Sequence, residues 1–212
     1  MIEIIPRPLT ANTVQVPGSK SYTHRICMAA ALSDGPCRIY GALDSEDTRL
    51  TLFALESMGT AVGRYDGGLL ISGKNGRFYP CDHPIHLGNS GTSIRLLTGL
   101  AVLGSGDYIL TGSERMQERP IDDLLAALRE LGVSAVSMNN TGCPPVRVTG
   151  GTIARTRTRI DCSTSSQYLS SLLLMAPCAP GGLHVDVTGG PGSKPYIDMT
   201  VDIMEQFGIS VA

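Results

Sequence analysis

The sequence predicts an α+β fold of three βαβαββ repeats arranged around a pseudo-threefold axis, with parallel first helices inside. Three observations predict it. Turns rich in glycine and hydroxyls, Gly18-Ser19-Lys20-Ser21, Gly88-Asn89-Ser90-Gly91-Thr92 and Ser163-Thr164-Ser165-Ser166, each lead from a short strand pattern into an apolar helix. Gly59, Gly132 and Gly208 each end a second helix, and they recur roughly 73 to 76 residues apart, the period of a long supersecondary repeat. Hairpin turns follow two of these glycines, signalled by Asp66-Gly67-Gly68 and by Asn and Gly between Ser137 and Val146.

In chain order, Ile2-Glu3-Ile4-Ile5 reads as a short strand stopped by Pro6 and Pro8, so residues 1–12 stand apart as a crossover segment. The first repeat, 13–80, predicts strand 13–16, helix 22–32, strand 37–41, helix 46–58, and strands 60–64 and 69–72. The second, 81–150, predicts strand 85–87, helix 93–103 and strand 108–111. Pro120 then opens a helix with Ile121, Leu124, Leu125, Leu128 and Leu131 at core spacing, before strands 133–137 and 146–149. The third, 151–212, predicts strand 159–162, helix 167–175 ended by Pro177, strand 183–187, and a helix opened by Pro195 with Ile197, Val201 and Met204 on one face. This repeat is truncated, because its last strand is missing. The chain therefore reads as one lobe, 13–212, with an open sheet edge of a kind natural proteins usually cover. Met28, Met58, Met175 and Met204 read as core filler.

Composition narrows the function. At 212 residues with net charge −2, no Trp and three Phe, the chain lacks the basic footprint and stacking rings of a nucleic-acid binder. No apolar run approaches the roughly 20 residues of a membrane span, and no signal peptide opens the chain, so a cytoplasmic location is expected. Six scattered cysteines without a CxxC pair read as reduced thiols.

The three turns share one chemistry. Free N–H groups in a helix's first turn carry partial positive charge, and Lys20 and Arg25 add full charges to it. If the first helices lie inside and parallel, their tips converge on one pocket. Those tips carry Lys20, Ser21 and Arg25; Asn89, Gly91, Thr92 and Arg95; and Ser165, Ser166 and Gln167. Arg119, Ser193 and Tyr196 come from the turns before the second helices. Hydrogen bonds from such cations contribute about 1.5 to 3 kcal/mol each, enough together to hold a phosphorylated metabolite.

Pro17-Gly18-Ser19-Lys20-Ser21, Leu87-Gly88-Asn89-Ser90-Gly91-Thr92, Arg115-Met116-Gln117-Glu118-Arg119-Pro120-Ile121, Ser165-Ser166-Gln167 and Ser193-Lys194-Pro195-Tyr196-Ile197-Asp198 closely resemble EPSP synthase, the 3-phosphoshikimate 1-carboxyvinyltransferase of aromatic amino acid biosynthesis. The resemblance covers nearly the whole chain. It implies one lobe of an inside-out α/β barrel, an enzyme active at the cleft between two lobes, with no cofactor and no metal. It implies that Ser165, Ser166 and Ser193 hold the phosphate of shikimate 3-phosphate, with Lys20, Ser21, Arg25, Gln167 and Tyr196 around the same substrate. Lys20, Gly91, Arg119 and Gln167 become the near wall of the phosphoenolpyruvate site, Lys20 also counting as catalytic. Asn89, Thr92, Arg95 and Asp47 are weaker candidates. In the family the substrate 5-hydroxyl attacks C2 of phosphoenolpyruvate while C3 is protonated, and the adduct then loses phosphate. The acid, base and further arginines for this lie in the other lobe, the implied partner, so this lobe alone is expected to be inactive. Leu96 stands where glyphosate-sensitive members have Pro, so that sensitivity is not carried over.

Three other readings compete. Cys81, His83 and His86 make an incomplete metal set interrupted by Pro84. A UDP-N-acetylglucosamine enolpyruvyl transferase would share the architecture but uses a different first loop and a reactive Cys that has no counterpart here. A non-catalytic domain binding phosphorylated metabolites is the rival from outside enzymology.

Overall fold

In a computed structural model of the chain, residues 3, 5, 13–190 and 192–212 are described. Their strands form three sheets. In the first, β1 (Asp34–Tyr40), β2 (Ala61–Tyr65) and β3 (Gly68–Lys74) stand in the order β1-β3-β2, all antiparallel, with β1 and β3 in register from Asp34 opposite Lys74 to Tyr40 opposite Gly68. In the second, β4 (Ile85–His86), β5 (Gly106–Thr111), β6 (Ser134–Ser137) and β7 (Val146–Gly150) take the order β4-β5-β7-β6, β4 being parallel to β5 and the rest antiparallel. In the third, β8 (Arg157–Asp161) runs parallel to β9 (His184–Gly189), as β4 does to β5.

The six helices divide by burial. Along α1 (Lys20–Leu32), α3 (Gly91–Val102) and α5 (Ser166–Met175) nearly every residue after the first turn is buried, as befits helices that are apolar or small-sided all round. α2 (Glu46–Ser57), α4 (Asp122–Glu130) and α6 (Lys194–Gln206) bury one face only. On α4 that face includes Leu124, Leu125 and Leu128, with Ile121 and Leu131 buried at its two ends, as the spacing predicts. The four methionines read as core are buried as well. Gly99 lets α3 approach α5 closely: a Cβ there would lie 2.4 Å from the Ser171 Oγ. The Gly99 N–H donates to that same oxygen.

Several boundaries differ from expectation for physical reasons. Thr13–Val16 forms no strand; a strand requires ladder bonds to a neighbour, and Val14 and Val16 remain 80% and 76% exposed. Pro120 precedes α4 rather than opening it, because Met116–Glu118 winds into a separate 3-10 turn and Ile121 becomes the cap. Pro177 does not simply stop α5; it sits within a 3-10 extension, Ala176–Cys178. On α6 the buried centre is Thr200, Ile203 and Met204, with Ile197 and Val201 half-covered, so a polar residue sits where periodicity favours apolar ones. The expected crossover segment 1–12 lies, apart from Glu3 and Ile5, outside the described residues. All six cysteines are unpaired.

Candidate functional site

The tip of α1 is built by its turn. Ser19 caps it by accepting from the Tyr22 N–H, and Thr23 Oγ1 donates to the Ser19 carbonyl at 2.8 Å while accepting from the Leu43 N–H, which ties the tip to the chain entering α2. Gly18 has no alternative there, since a Cβ would meet the Gly41 carbonyl at 2.1 Å. Lys20 Nζ, half exposed, pairs with Asp47 Oδ2 in the first turn of α2 at 2.8 Å. Ser45 and Thr48 close that helix with reciprocal capping bonds.

One turn further in, Arg25 is 1% exposed and has no carboxylate partner among the described residues. Its guanidinium donates to Thr200 Oγ1 at 2.7 Å, to Ser170 Oγ at 3.1 Å and to the Ser21 carbonyl at 3.2 Å, and it lies 5.8 Å from the Tyr196 ring centre. Burial pulls its pKa down to about 10, which still leaves it charged at pH 7. A buried cation held only by neutral acceptors is costly until an anion arrives.

A second cation is arranged alike. Arg95, 7% exposed, donates to Gln167 Oε1 at 3.0 Å and to the Pro120 carbonyl at 2.9 Å, packs over Tyr168, and keeps a buried Nε with no partner among the described residues. Burial lowers its pKa too. Gln167, at the tip of α5, donates in turn to Thr92 Oγ1 at the tip of α3 at 3.1 Å. Arg119 donates to the Asn89 carbonyl and lies against Gly91, where an added Cβ would be 2.6 Å from its Nη1.

These bonds place the first turns of α1, α2, α3 and α5 side by side, with α6 joined through Arg25, Thr200 and Tyr196. Of the predicted residues, Lys20 meets Asp47; Gln167 meets both Thr92 and Arg95; and Arg119 meets Asn89 beside Gly91. Ser21 contributes its carbonyl to Arg25. Ser166 is buried, Ser165 caps α5 through the Gln167 N–H, and Ser193 stands at the start of α6 without using its hydroxyl as a cap. Among the described residues, four clefts of 180 to 400 Å³ are lined by none of Lys20, Gly91, Arg119, Ser166 or Ser193. Cys81 instead donates to the Ser57 carbonyl, and His86 Nδ1 accepts from the Gly88 N–H. Residue patterns missed Ser170 and Thr200, which hold Arg25, and the buried set His24, Thr51, Ser90 and Ser93. Only their polar character at core-facing helical spacing could have signalled them.

Residues 5–212 match the family model of EPSP synthase (3-phosphoshikimate 1-carboxyvinyltransferase). The chain belongs to the EPSP synthase family. It is 45% identical over 195 residues to the 3-phosphoshikimate 1-carboxyvinyltransferase of Methanospirillum hungatei, covering 92% of this chain and 45% of that protein. Against the Bordetella pertussis protein of the same name it is 42% identical over 209 residues, covering 96% of this chain and 47% of that one. EPSP synthase from Acinetobacter baumannii superposes with a TM-score of 0.81 at 30% identity, over 94% of this chain and 44% of the other. The chain thus spans about half the length of the EPSP synthase family members it matches, and its fold is theirs over that half.

Proposed function

We propose that these 212 residues are the shikimate-3-phosphate-binding lobe of an EPSP synthase, built as three βαβαββ repeats about a pseudo-threefold axis with α1, α3 and α5 inside. The observation that carries the reading is Arg25: a buried guanidinium with no carboxylate partner among the described residues, at the junction of three helices. Such a group serves an anionic ligand better than it serves stability. Around it, Ser165, Ser166 and Ser193 take the substrate phosphate, while Lys20, Ser21, Gln167 and Tyr196 take the rest of shikimate 3-phosphate. Lys20, Gly91, Arg119 and Gln167 form the wall for phosphoenolpyruvate, flanked by Asn89, Thr92 and Arg95. Asp47 holds the Lys20 ammonium toward that wall.

In this assignment the lobe contributes binding, orientation and charge stabilisation. The 5-hydroxyl attacks C2, C3 gains a proton, and the anionic adduct forms against a fixed wall of cations and helix N–H groups, which need no reorganisation as charge develops. The proton-transfer groups belong to the other lobe, and the reaction takes place in the cytoplasm. Mixing this chain with the half of a relative that it does not align with tests the assignment. Phosphate release that requires both halves, shikimate 3-phosphate and phosphoenolpyruvate together supports it; a folded pair with no such release counts against it.

A further inference from the structure

The tips of α1, α2 and α3 are joined from behind by a buried chain of polar side chains that no substrate touches in the reading above. His24 Nδ1 lies 2.8 Å from Thr51 Oγ1, Thr51 Oγ1 lies 2.7 Å from Ser93 Oγ, and Ser93 Oγ lies 2.6 Å from Ser90 Oγ and 3.4 Å from the Asp47 carbonyl. All four side chains are at most 1% exposed. His24 Nε2 is buried with no partner among the described residues.

The unpartnered Nε2 decides between the two directions in which this chain can run. Burial pushes the His24 pKa down to about 4, with Lys20 and Arg25 lowering it further and Asp47 opposing, so the ring is neutral at pH 7 and carries one N–H. An N–H on Nε2 would be an orphaned donor, the costlier kind of buried unpaired group, whereas a bare Nε2 is only an unused acceptor. The proton therefore sits on Nδ1 and is donated to Thr51 Oγ1. Thr51 then donates to Ser93 Oγ, Ser90 donates to the same oxygen, and Ser93 donates to the Asp47 carbonyl. Every hydroxyl proton in the chain is used once. With the imidazole turned the other way, Thr51 would have to donate to His24 and its link to Ser93 would reverse, leaving the Asp47 carbonyl to compete with Thr51 Oγ1 for the Ser93 proton.

We propose that His24 is a positioning residue: its Nδ1–H orders the Thr51–Ser93–Ser90 chain that holds the first turns of α2 and α3 in place behind Lys20, Gly91 and Thr92. It touches no ligand and acts through those turns. Its consequence for phosphoenolpyruvate rests on the substrate-lobe reading; its consequence for the protein alone does not.

Two variants separate the role from mere packing. The amide of His24→Asn places a donor where Nδ1 stands, whereas His24→Gln places its amide where Nε2 stands. Two-bond proton–nitrogen correlation of the histidine rings at pH 7 is expected to show the Nδ1–H tautomer for His24. Exchange of the Ile94 amide, whose bond to the Ser90 carbonyl begins α3, is expected to stay as in the parent in His24→Asn and to speed up about fivefold to tenfold in His24→Gln, the worth of one hydrogen bond. An Nε2–H tautomer, or equal exchange in the two variants, overturns the proposal. In titrations, phosphoenolpyruvate should weaken by a similar factor in His24→Gln only, with shikimate 3-phosphate changing less. A parent chain that ignores both ligands overturns the substrate-lobe reading instead, while the tautomer and Ile94 exchange still decide the role of His24.

Discussion

Arg25 shows how a single residue can be read for function against stability. Its guanidinium is buried among neutral acceptors, and if it is removed Thr200 Oγ1 and Ser170 Oγ keep each other as partners at 2.9 Å. Arg25→Met is therefore expected to leave the melting temperature nearly unchanged while weakening shikimate 3-phosphate by about 10- to 100-fold, the worth of one or two charge-assisted bonds at about 1.5 to 3 kcal/mol. Melting curves with and without ligand check both halves of the statement. His24 makes a pH prediction of defined sign. Its pKa falls from 6.5 to about 4 on burial, so between those values the unfolded chain takes a proton that the folded chain refuses. The stability is fully present above the higher value and declines as pH drops through the lower one, by about 3 kcal/mol in all. Urea denaturation at about pH 7.5 and 4.5 should show this slope in the parent and a clearly shallower one in His24→Asn. The Ser19-Lys20-Ser21 and Asn89–Thr92 turns were legible because small, hydroxyl-bearing residues before an apolar run announce a helix tip. The partners of Arg25 were not. Ser170 and Thr200 lie far apart in sequence, and only the packing of α5 against α6 brings them to one guanidinium.

At the scale of elements, two glycines set how closely helices and turns can meet. Gly91 opens α3 against Arg119, and a methyl group there would sit within 2.6 to 2.8 Å of the guanidinium. The obstruction is the mobile end of a side chain, so Gly91→Ala should fold normally, displace Arg119 from the Asn89 carbonyl and raise the Kd for phosphoenolpyruvate about tenfold, as a titration would show. Gly99 meets Ser171 backbone as well as side chain, and those atoms cannot swing aside. Gly99→Ala gains about 1 kcal/mol of helix propensity but overpacks the α3–α5 contact by about 1 to 3 kcal/mol, for a net loss in chemical denaturation. Helix existence and order were legible throughout, because the apolar spacing of α4 and the all-round apolar character of α3 leave little choice. Thr13–Val16 misled because alternation of apolar and polar residues specifies a strand only if a neighbour offers a ladder. Pro120 misled because the residues before it took up a 3-10 turn of their own.

For the whole molecule, the claim is that helix tips belonging to distant stretches of sequence act as one anion-binding face. Lys20 to Asp47, Asp47 to Ser93, Thr92 to Gln167 and Arg25 to Thr200 are the links that support the claim. The motifs in their order made the family legible from sequence, whereas the way the tips interlock depends on side chains that carry no motif. The direct measurement is a calorimetric titration of this chain with shikimate 3-phosphate, with shikimate and inorganic phosphate as controls and Arg25→Met as the matched variant. The account predicts saturable binding of shikimate 3-phosphate, weaker binding of either control, and binding weaker by about 10- to 100-fold in Arg25→Met. Equal responses to all three compounds, or binding untouched by Arg25→Met, would contradict it.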